Sequence, residues 1–374
     1  MPADRLTRSL RPPVTAVTVL AVVAVLTGLV GLAACSSDAT KDSATDLSTT
    51  GVGSSSTTAA FDPAKVPAAP SDGCTSKTPV SPGETKVTLP GTDARVDRWY
   101  LQHLPPAAAS GTTPLPVVVD IHGYIEGAVV HTNMTQMGAY GDEQGFITIF
   151  PNGPGPIAHW DTRLGSADLE WFGTLFDNIE STLCVDTNRI FVSGLSNGAE
   201  MTSSVACTYS DRVASVAPVA GIQIPAGCTF TRPVPVLTIH GTEDPYFPIA
   251  GGLGPAAEAL PSSYHEGTIG EHPGDPSLAE HKALPVVTAD WAKRNGCTGA
   301  PKQDEVASDV TLFSYPCPAD ASVEFYRVDG GGHAWPGSRF SASAEATTGR
   351  TTFSIDANEI IGKFFETHPL SGTN

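Results

Sequence analysis

Gly194-Leu195-Ser196-Asn197-Gly198 sets a serine between two glycines, behind the β-favouring run 190–192 and ahead of helix-compatible residues with Met201 and Val205 on one face. Strand, sharp turn and helix in that order make a nucleophile elbow: small neighbours let the backbone strain, and the hydroxyl stands exposed at the sheet edge. A serine attacks only after a base takes its proton, and the base must be oriented by an acid. Two later segments supply these groups. His240-Gly241-Thr242-Glu243-Asp244-Pro245 follows the apolar run 236–239, which makes Asp244 the expected acid. Asp329-Gly330-Gly331-Gly332-His333-Ala334-Trp335-Pro336-Gly337 follows the run 323–328, and its glycines allow a tight loop that lowers His333 onto Ser196 as the base. Glu243 is the alternative acid, Asp329 a brace for the histidine loop, and His240 a packed or supporting histidine.

Acyl transfer also needs backbone donors for the oxygen that becomes negative. The Asn197 N–H opens the helix after the elbow, and His122-Gly123-Tyr124 follows the apolar strand 117–121. The expected donors are therefore Asn197 and Tyr124, with Gly123 as fallback. Trp160, in His159-Trp160-Asp161, together with Trp171 and Trp335, could line a pocket, although Asp168, Trp171 and Phe172 read better as packing beneath the site. Among the other histidines no spacing suggests a ligand set, and no C-x-x-C occurs. Neither a metal nor an organic cofactor is expected, and the activity should rise as a histidine base loses its proton, near the usual imidazole value of about 6.5.

The elements that must position these groups alternate. Short apolar or alternating runs at 86–89, 98–104, 115–121, 146–150, 190–192, 213–219, 234–239 and 323–328 read as strands. Helical patterns fall near 133–143, 167–182, 198–208, 279–294 and 356–366. This rhythm predicts an α/β fold with a mostly parallel central sheet and helices on both faces. Residues 61–374 accommodate it as one catalytic domain, with the Pro/Gly-rich stretch 245–278 as a cap or loop insertion.

The formal charge is -18. Residues 1–34 hold Arg5, Arg8 and Arg11 against Asp4, so the remainder is more acidic still, which argues against nucleic acid as a partner. That basic start precedes an apolar run from Val14 to Leu32 and then Leu32-Ala33-Ala34-Cys35, the pattern of an export signal occupying residues 1–34. The tetrapeptide resembles a bacterial lipobox, with Cys35 as the lipidated first residue of the mature chain. Residues 36–60, almost all Ser, Thr, Ala, Asp and Gly, complete a tether over 35–60 with too little apolar surface to fold. The expected location is the outer face of the bacterial cell membrane, held there by the lipid, with release from the cell as the alternative. In an exported chain Cys74, Cys184, Cys207, Cys228, Cys297 and Cys317 suggest up to three disulfides. Only Cys297–Cys317, local to one late segment, is singled out as a pair.

The segments His122-Gly123-Tyr124, 190–201, His240 to Asp244 and Gly331 to Gly337 resemble the polyhydroxybutyrate depolymerase and feruloyl esterase group of α/β-hydrolases, most closely its mycobacterial and actinobacterial lipoprotein esterases. The similarity spans roughly 70–370. It implies an α/β-hydrolase fold with chain order Ser196, Asp244, His333, a backbone oxyanion hole near Tyr124 and Asn197, and a secreted setting; Trp335 carries over without a role. Polymer degraders of that group often add a carboxyl-side substrate-binding domain. This sequence ends soon after 356–366, so soluble or oligomeric esters are expected: short aliphatic, hydroxyalkanoate or feruloyl and other aryl esters. A thioesterase, peptidase or acyltransferase would share the triad, and a catalytically silent binding lipoprotein is the non-enzymatic alternative.

Overall fold

The computed structural model describes residues 62–76, 79–90, 98–272 and 281–371. The expected export signal, Cys35 and the tether 36–60 lie outside them. Ten strands form one sheet: β1 (Gly83–Leu89), β2 (Arg98–Leu104), β3 (Leu115–Ile121), β4 (Ile147–Pro151), β5 (Val185–Leu195), β6 (Val216–Val219), β7 (Val236–Gly241), β8 (Lys302–Ala307), β9 (Val310–Ser314) and β10 (Val323–Val328). Their order is β1-β2-β4-β3-β5-β6-β7-β10-β9-β8. The central strands from β4 to β10 run parallel, and an antiparallel pair closes each side. This is the mostly parallel α/β arrangement that the alternating pattern predicts, and it agrees with the α/β-hydrolase fold that the resemblance implies.

The helices are α1 (Gly127–Thr135), α2 (Met137–Gln144), α3 (Ala167–Thr182), α4 (Asn197–Thr208), α5 (Pro255–Glu258), α6 (Leu284–Arg294), α7 (Arg339–Ser343), α8 (Glu345–Thr348) and α9 (Ala357–Thr367). Because successive strand side chains face opposite ways, the sheet feeds two cores. Val117, Val119 and Ile121 pack with Phe172 and Phe176 of α3, Met201 and Val205 of α4 and Trp291 of α6. Val118 and Phe191 pack on the other face with Met137 of α2 and Ile361, Phe364 and Phe365 of α9. Caps set two of these helices: the Ser166 hydroxyl accepts the Leu169 N–H, and the Asp356 carboxylate accepts from Asn358 and Glu359.

Three expectations need correction. The single helix over 133–143 is two, because Gln136 sits at φ 52° between α1 and α2. Strand β5 begins at Val185, well before 190: its polar start, from Asp186 to Arg189, is held by the amino-terminal strap, with Thr187 N–H on Ala69 O at 2.9 Å and Arg189 Nη2 on Val66 O at 2.9 Å. The hairpin β8–β9 was not expected at all. The disulfides are Cys74–Cys184, Cys207–Cys228 and Cys297–Cys317, the last as expected.

Between β3 and α1 lies a buried charge cluster. His131 of α1, wholly buried, sets Nε2 3.3 Å from Asp120 Oδ1 and Nδ1 3.3 Å from Glu126 Oε1. Ser193 and Thr135 hydroxyls donate to the two Asp120 oxygens at 2.7 and 2.8 Å. Burial alone would lower the imidazole pKa, but the two carboxylates lift it to about 10.

Two outcomes are expected. The Cys74–Cys184 bridge closes a separation of 110 residues, so Cys74→Ser/Cys184→Ser should lose about 2–5 kcal/mol. Urea melts read this as a lower midpoint, and an unchanged midpoint would mean the strap is not needed. For His131, a raised folded pKa stabilises fully below the unfolded value of about 6.5. That contribution is lost as pH rises through about 10. Wild-type stability should therefore decline across this window, and the slope of His131→Gln should be shallower; equal slopes would contradict a buried cation.

Candidate active site

Strands β3, β5, β7 and β10 are parallel, so the loops after Ile121, Leu195, Gly241 and Val328 emerge on one edge of the sheet, where ligands of open α/β folds bind. Ser196 leaves β5 at φ 59° and ψ -124°, a conformation that costs on the order of 1–3 kcal/mol in an L-residue. Crowding explains the flanking glycines. A Cβ on Gly198 would fall 2.0 Å from the Ile121 oxygen, and one on Gly194 2.7 Å from the Gly198 oxygen. The turn is fixed by Ser196 N–H on Val219 O at 3.0 Å, and the Ser196 carbonyl accepts from Ala199 and Glu200. Asn197 is the first residue of α4, so its N–H is among those a helix cannot satisfy internally.

Asp244 and His333 meet across the next loops, with the His333 Nδ1–H donating to Asp244 Oδ2 at 2.7 Å. The other Asp244 oxygen accepts the Tyr246 and Phe247 N–H groups at 2.8 and 2.9 Å. Burial works to raise the Asp244 pKa, but His333, His240 and the Phe247 N–H together hold it below the ordinary carboxylate value. The two loops are laced by Glu243 N–H on Gly331 O (2.8 Å) and Gly330 N–H on Thr242 Oγ1 (2.8 Å). Glu243 itself is exposed and is not the acid that meets His333. Asp329 pairs with Arg327 at 2.7 Å and accepts Arg350 Nη2 on its carbonyl, so it braces the loop. His240 is a packed histidine: Nε2–H donates to Phe247 O at 2.8 Å, and burial keeps its pKa low despite Asp244.

The turn after β3 lies against the serine, since a Cβ on Gly123 would approach Ser196 Cβ to 3.3 Å. His122 anchors it: Nδ1–H donates to Gly123 O at 2.7 Å and Nε2 accepts the Gly153 N–H at 2.8 Å. Burial pushes the His122 pKa down to about 4, so the ring is neutral as this pattern requires. Ile125 sits at φ 59°, rare for a β-branched residue, and donates its N–H to Ala158 O at 2.7 Å. The Gly123 N–H, the fallback oxyanion donor, is taken by Glu126 Oε2 at 2.6 Å.

The three indoles named as pocket candidates are all buried, Trp171 in keeping with the packing reading preferred for it. Trp160 ties two loops instead, its Nε1–H on His122 O at 3.0 Å and its backbone N–H on Asn197 Oδ1 at 2.8 Å. Trp335 donates to Asn358 Oδ1 at 3.0 Å, and Trp171 packs beneath the Arg98 guanidinium, which pairs with Asp168. What opens beside α4 is a cavity of about 390 Å³ lined by Leu164, Ile224 and Val287 with Glu200, Gln223 and Lys282. Glu200, buried, accepts from Asn197 Nδ2 (3.0 Å) and Gln223 Nε2 (2.6 Å) and faces His281 Nε2 at 3.1 Å. Sequence reasoning missed Glu126, His131, Glu200 and His281. Glu200 and His281 come from distant segments, and Glu126 and His131 stand five residues apart, so no spacing announces either pair.

In the stretch 245–272, the described part of the expected insertion, Pro261 and Thr268 bridge and the Tyr124 hydroxyl donates to Pro261 O at 2.9 Å. The His159 ring stands 5.6 Å from both Tyr124 and Tyr264. Among the described residues no group of His, Cys, Asp and Glu could hold a metal ion.

No family model matches the chain. Feruloyl esterase B of Piromyces equi is 27% identical over 239 residues, 61% of this chain and 41% of that protein. Poly(3-hydroxyalkanoate) depolymerase C of Paucimonas lemoignei is 30% identical over 115 residues, 28% of each. The chain thus spans less than half the length of either relative. Among solved structures, an acetyl xylan esterase from Aspergillus awamori matches 76% of this chain and 99% of its own with a TM-score of 0.52; at 16% identity that likeness concerns the fold. The chain has the α/β-hydrolase fold, and in sequence it is similar to feruloyl and acetylxylan esterases and to a polyhydroxyalkanoate depolymerase.

Proposed function

We propose that the chain is an exported serine esterase that hydrolyses carboxylic esters by two-step acyl transfer. The observation that carries this reading is the 2.7 Å Asp244–His333 pair on the sheet edge that also presents Ser196 at its strained turn. His333 takes the Ser196 proton through Nε2 as the oxygen attacks the ester carbonyl. The Asn197 and Tyr124 N–H groups face the resulting oxyanion, and protonated His333 then releases the alcohol. Water, activated by the same imidazole, cleaves the acyl-enzyme. Asp244, ionised because its pKa is held low, keeps His333 in the Nδ1–H tautomer and stabilises the imidazolium. The substrates proposed are small or oligomeric esters of short aliphatic, hydroxyalkanoate or aryl acids, as the related esterases suggest.

Hydrolysis of a p-nitrophenyl ester series, methyl ferulate and soluble 3-hydroxybutyrate oligomers tests this. Ser196→Ala should abolish turnover and labelling by a fluorophosphonate. Asp244→Asn should lower kcat by roughly 10³–10⁴-fold, whereas Glu243→Gln should retain it. Folded wild type that turns over none of these esters, with an unreactive Ser196, would favour the binding-lipoprotein alternative.

The setting is part of the same proposal. The Leu32-Ala33-Ala34-Cys35 motif supports a lipid anchor of the actinobacterial lipoprotein type, and the disulfides support an oxidising compartment. In an actinobacterial host, Cys35→Ala should move the protein out of the membrane fraction; unchanged fractionation would remove Cys35 as the anchor.

A further inference from the structure

The buried cluster Asp120–His131–Glu126 has no part in the proton transfers, yet it ends on the turn that touches the nucleophile. Glu126, its side chain 8% exposed, sends Oε2 to the Gly123 N–H at 2.6 Å and Oε1 toward His131 Nδ1 at 3.3 Å. His131 is held from behind by Asp120, itself fixed by Ser193 of β5, two residues before the elbow begins to turn. The His131 ring stands edge-on to Trp335, 6.1 Å between centroids, and Trp335 is two residues from His333. One side chain thus joins the strand of the nucleophile, the loop of the base and the turn expected to face the oxyanion.

The turn needs such a hold. Ile125 at φ 59° strains the backbone between Gly123 and Glu126, and its exposed side chain gains nothing from packing there. The bonds opposing relaxation include Ile125 N–H on Ala158 O, Glu126 N–H on Gly123 O at 3.3 Å, and the Glu126 carboxylate on Gly123 N–H, beside those of His122 and Tyr124. Of these the carboxylate bond is the charge-assisted one, the stronger kind. A bare carboxylate beside a developing oxyanion would oppose the reaction. Here His131, shared with Asp120, supplies positive charge that offsets part of it.

We propose that Glu126, paired with His131, is a positioning residue that locks the strained Gly123–Gly127 turn so that its backbone faces the oxyanion formed on Ser196. The inference rests on the serine-esterase reading above. It differs from a structural role in that it acts on the transition state and leaves the ground state alone. Losing an oxyanion donor outright lowers kcat by roughly 10²–10³-fold, and a misplaced donor should cost part of that.

The test compares wild type, Glu126→Ala, Glu126→Gln, Ile125→Gly and the double variant Glu126→Ala/Ile125→Gly in the full chain. Readouts are kcat and KM for p-nitrophenyl acetate and Ki for an alkyl trifluoromethyl ketone, which forms a tetrahedral adduct with an active serine. Glu126→Ala should lower kcat at least about tenfold, leave KM within about twofold, and weaken the ketone by the same factor as kcat. Glu126→Gln keeps an acceptor for Gly123 and should fall between. Ile125→Gly removes the strain that Glu126 restrains, so the double variant should recover most of the loss relative to Ile125→Gly alone. Where Glu126→Ala does not fold, Glu126→Leu, of similar volume and with no acceptor, takes its place. Unchanged kcat and Ki in an active enzyme, kcat and KM worsening together, or a double variant no better than Glu126→Ala would each overturn the inference. A wild type inert to esters, with Ser196 unreactive to a fluorophosphonate, would instead overturn the serine-esterase reading.

Discussion

A serine at φ 59° and ψ -124° is a conformation the chain leaves unless its surroundings forbid it. The surroundings do so through backbone contact. Glycines at 194 and 198 let the elbow close onto the ends of β3 and β5, while Val219 of β6 holds the Ser196 N–H. Beyond the turn, α4 buries Met201 and Val205 against the sheet, about 1.5–3 kcal/mol for each large apolar side chain. That exceeds the strain of one residue, so the elbow persists as long as α4 stays packed. The order of strands suits the same edge: Asp244 and His333 follow neighbouring parallel strands, whose loops leave on the side of Ser196.

The edge so formed is unusually rich in buried acids. Asp120, Glu126, Asp244 and Glu200 all lie under or beside the elbow, and an uncompensated carboxylate there would be costly by several kcal/mol. Each is faced by a histidine and by hydrogen-bond donors. The choice of imidazole has a packing reason: a flat ring can pair with a carboxylate along its edge and fill an aromatic gap with its face. His131 sits among Phe150 and Trp335, His281 stacks on Phe247 at 4.2 Å, and His333 packs with Tyr246 and Phe247. Phe247 is where these lines cross. It stacks on the partner of Glu200, borders His333, donates its N–H to Asp244 and accepts from His240.

What the sequence made legible were features written in consecutive residues. The elbow, the acid turn and the glycine-rich histidine loop each follow an apolar run, and α3 was read with its observed limits because Ser166 caps a clean amphipathic pattern. Strand β8 was illegible because it is the exposed edge of the sheet, and without it the hairpin partner β9 had no visible place. The run Lys302-Gln303-Asp304-Glu305 has no apolar alternation, only the charges that keep an edge strand from pairing with another chain. The charge cluster was hidden for a different reason. His131 and Glu126 are five residues apart, on no common helical face, and Asp120 belongs to a strand. Trp160 and Trp335 misled because size and position suggested a pocket, whereas their N–H groups fasten loops from inside; Trp171 packs against Arg98 as its packing reading had it.

The turn 123–127 gathers these threads. From beneath it is held by His122, through both ring nitrogens, and by Glu126. From the side it is held by Ala158, in the loop whose Trp160 is clamped by Asn197, the residue after the nucleophile. From above it is held by the Tyr124 hydroxyl on Pro261, with His159 between Tyr124 and Tyr264. The stretch 245–272 therefore shares its footing with the backbone that lies against Ser196. A shift of Tyr264 or Pro261 would act on Tyr124, and through it on a turn already strained at Ile125. Rigidity in that turn comes from opposed contacts on three sides, so the stretch 245–272 and the serine elbow bear on the same few backbone atoms.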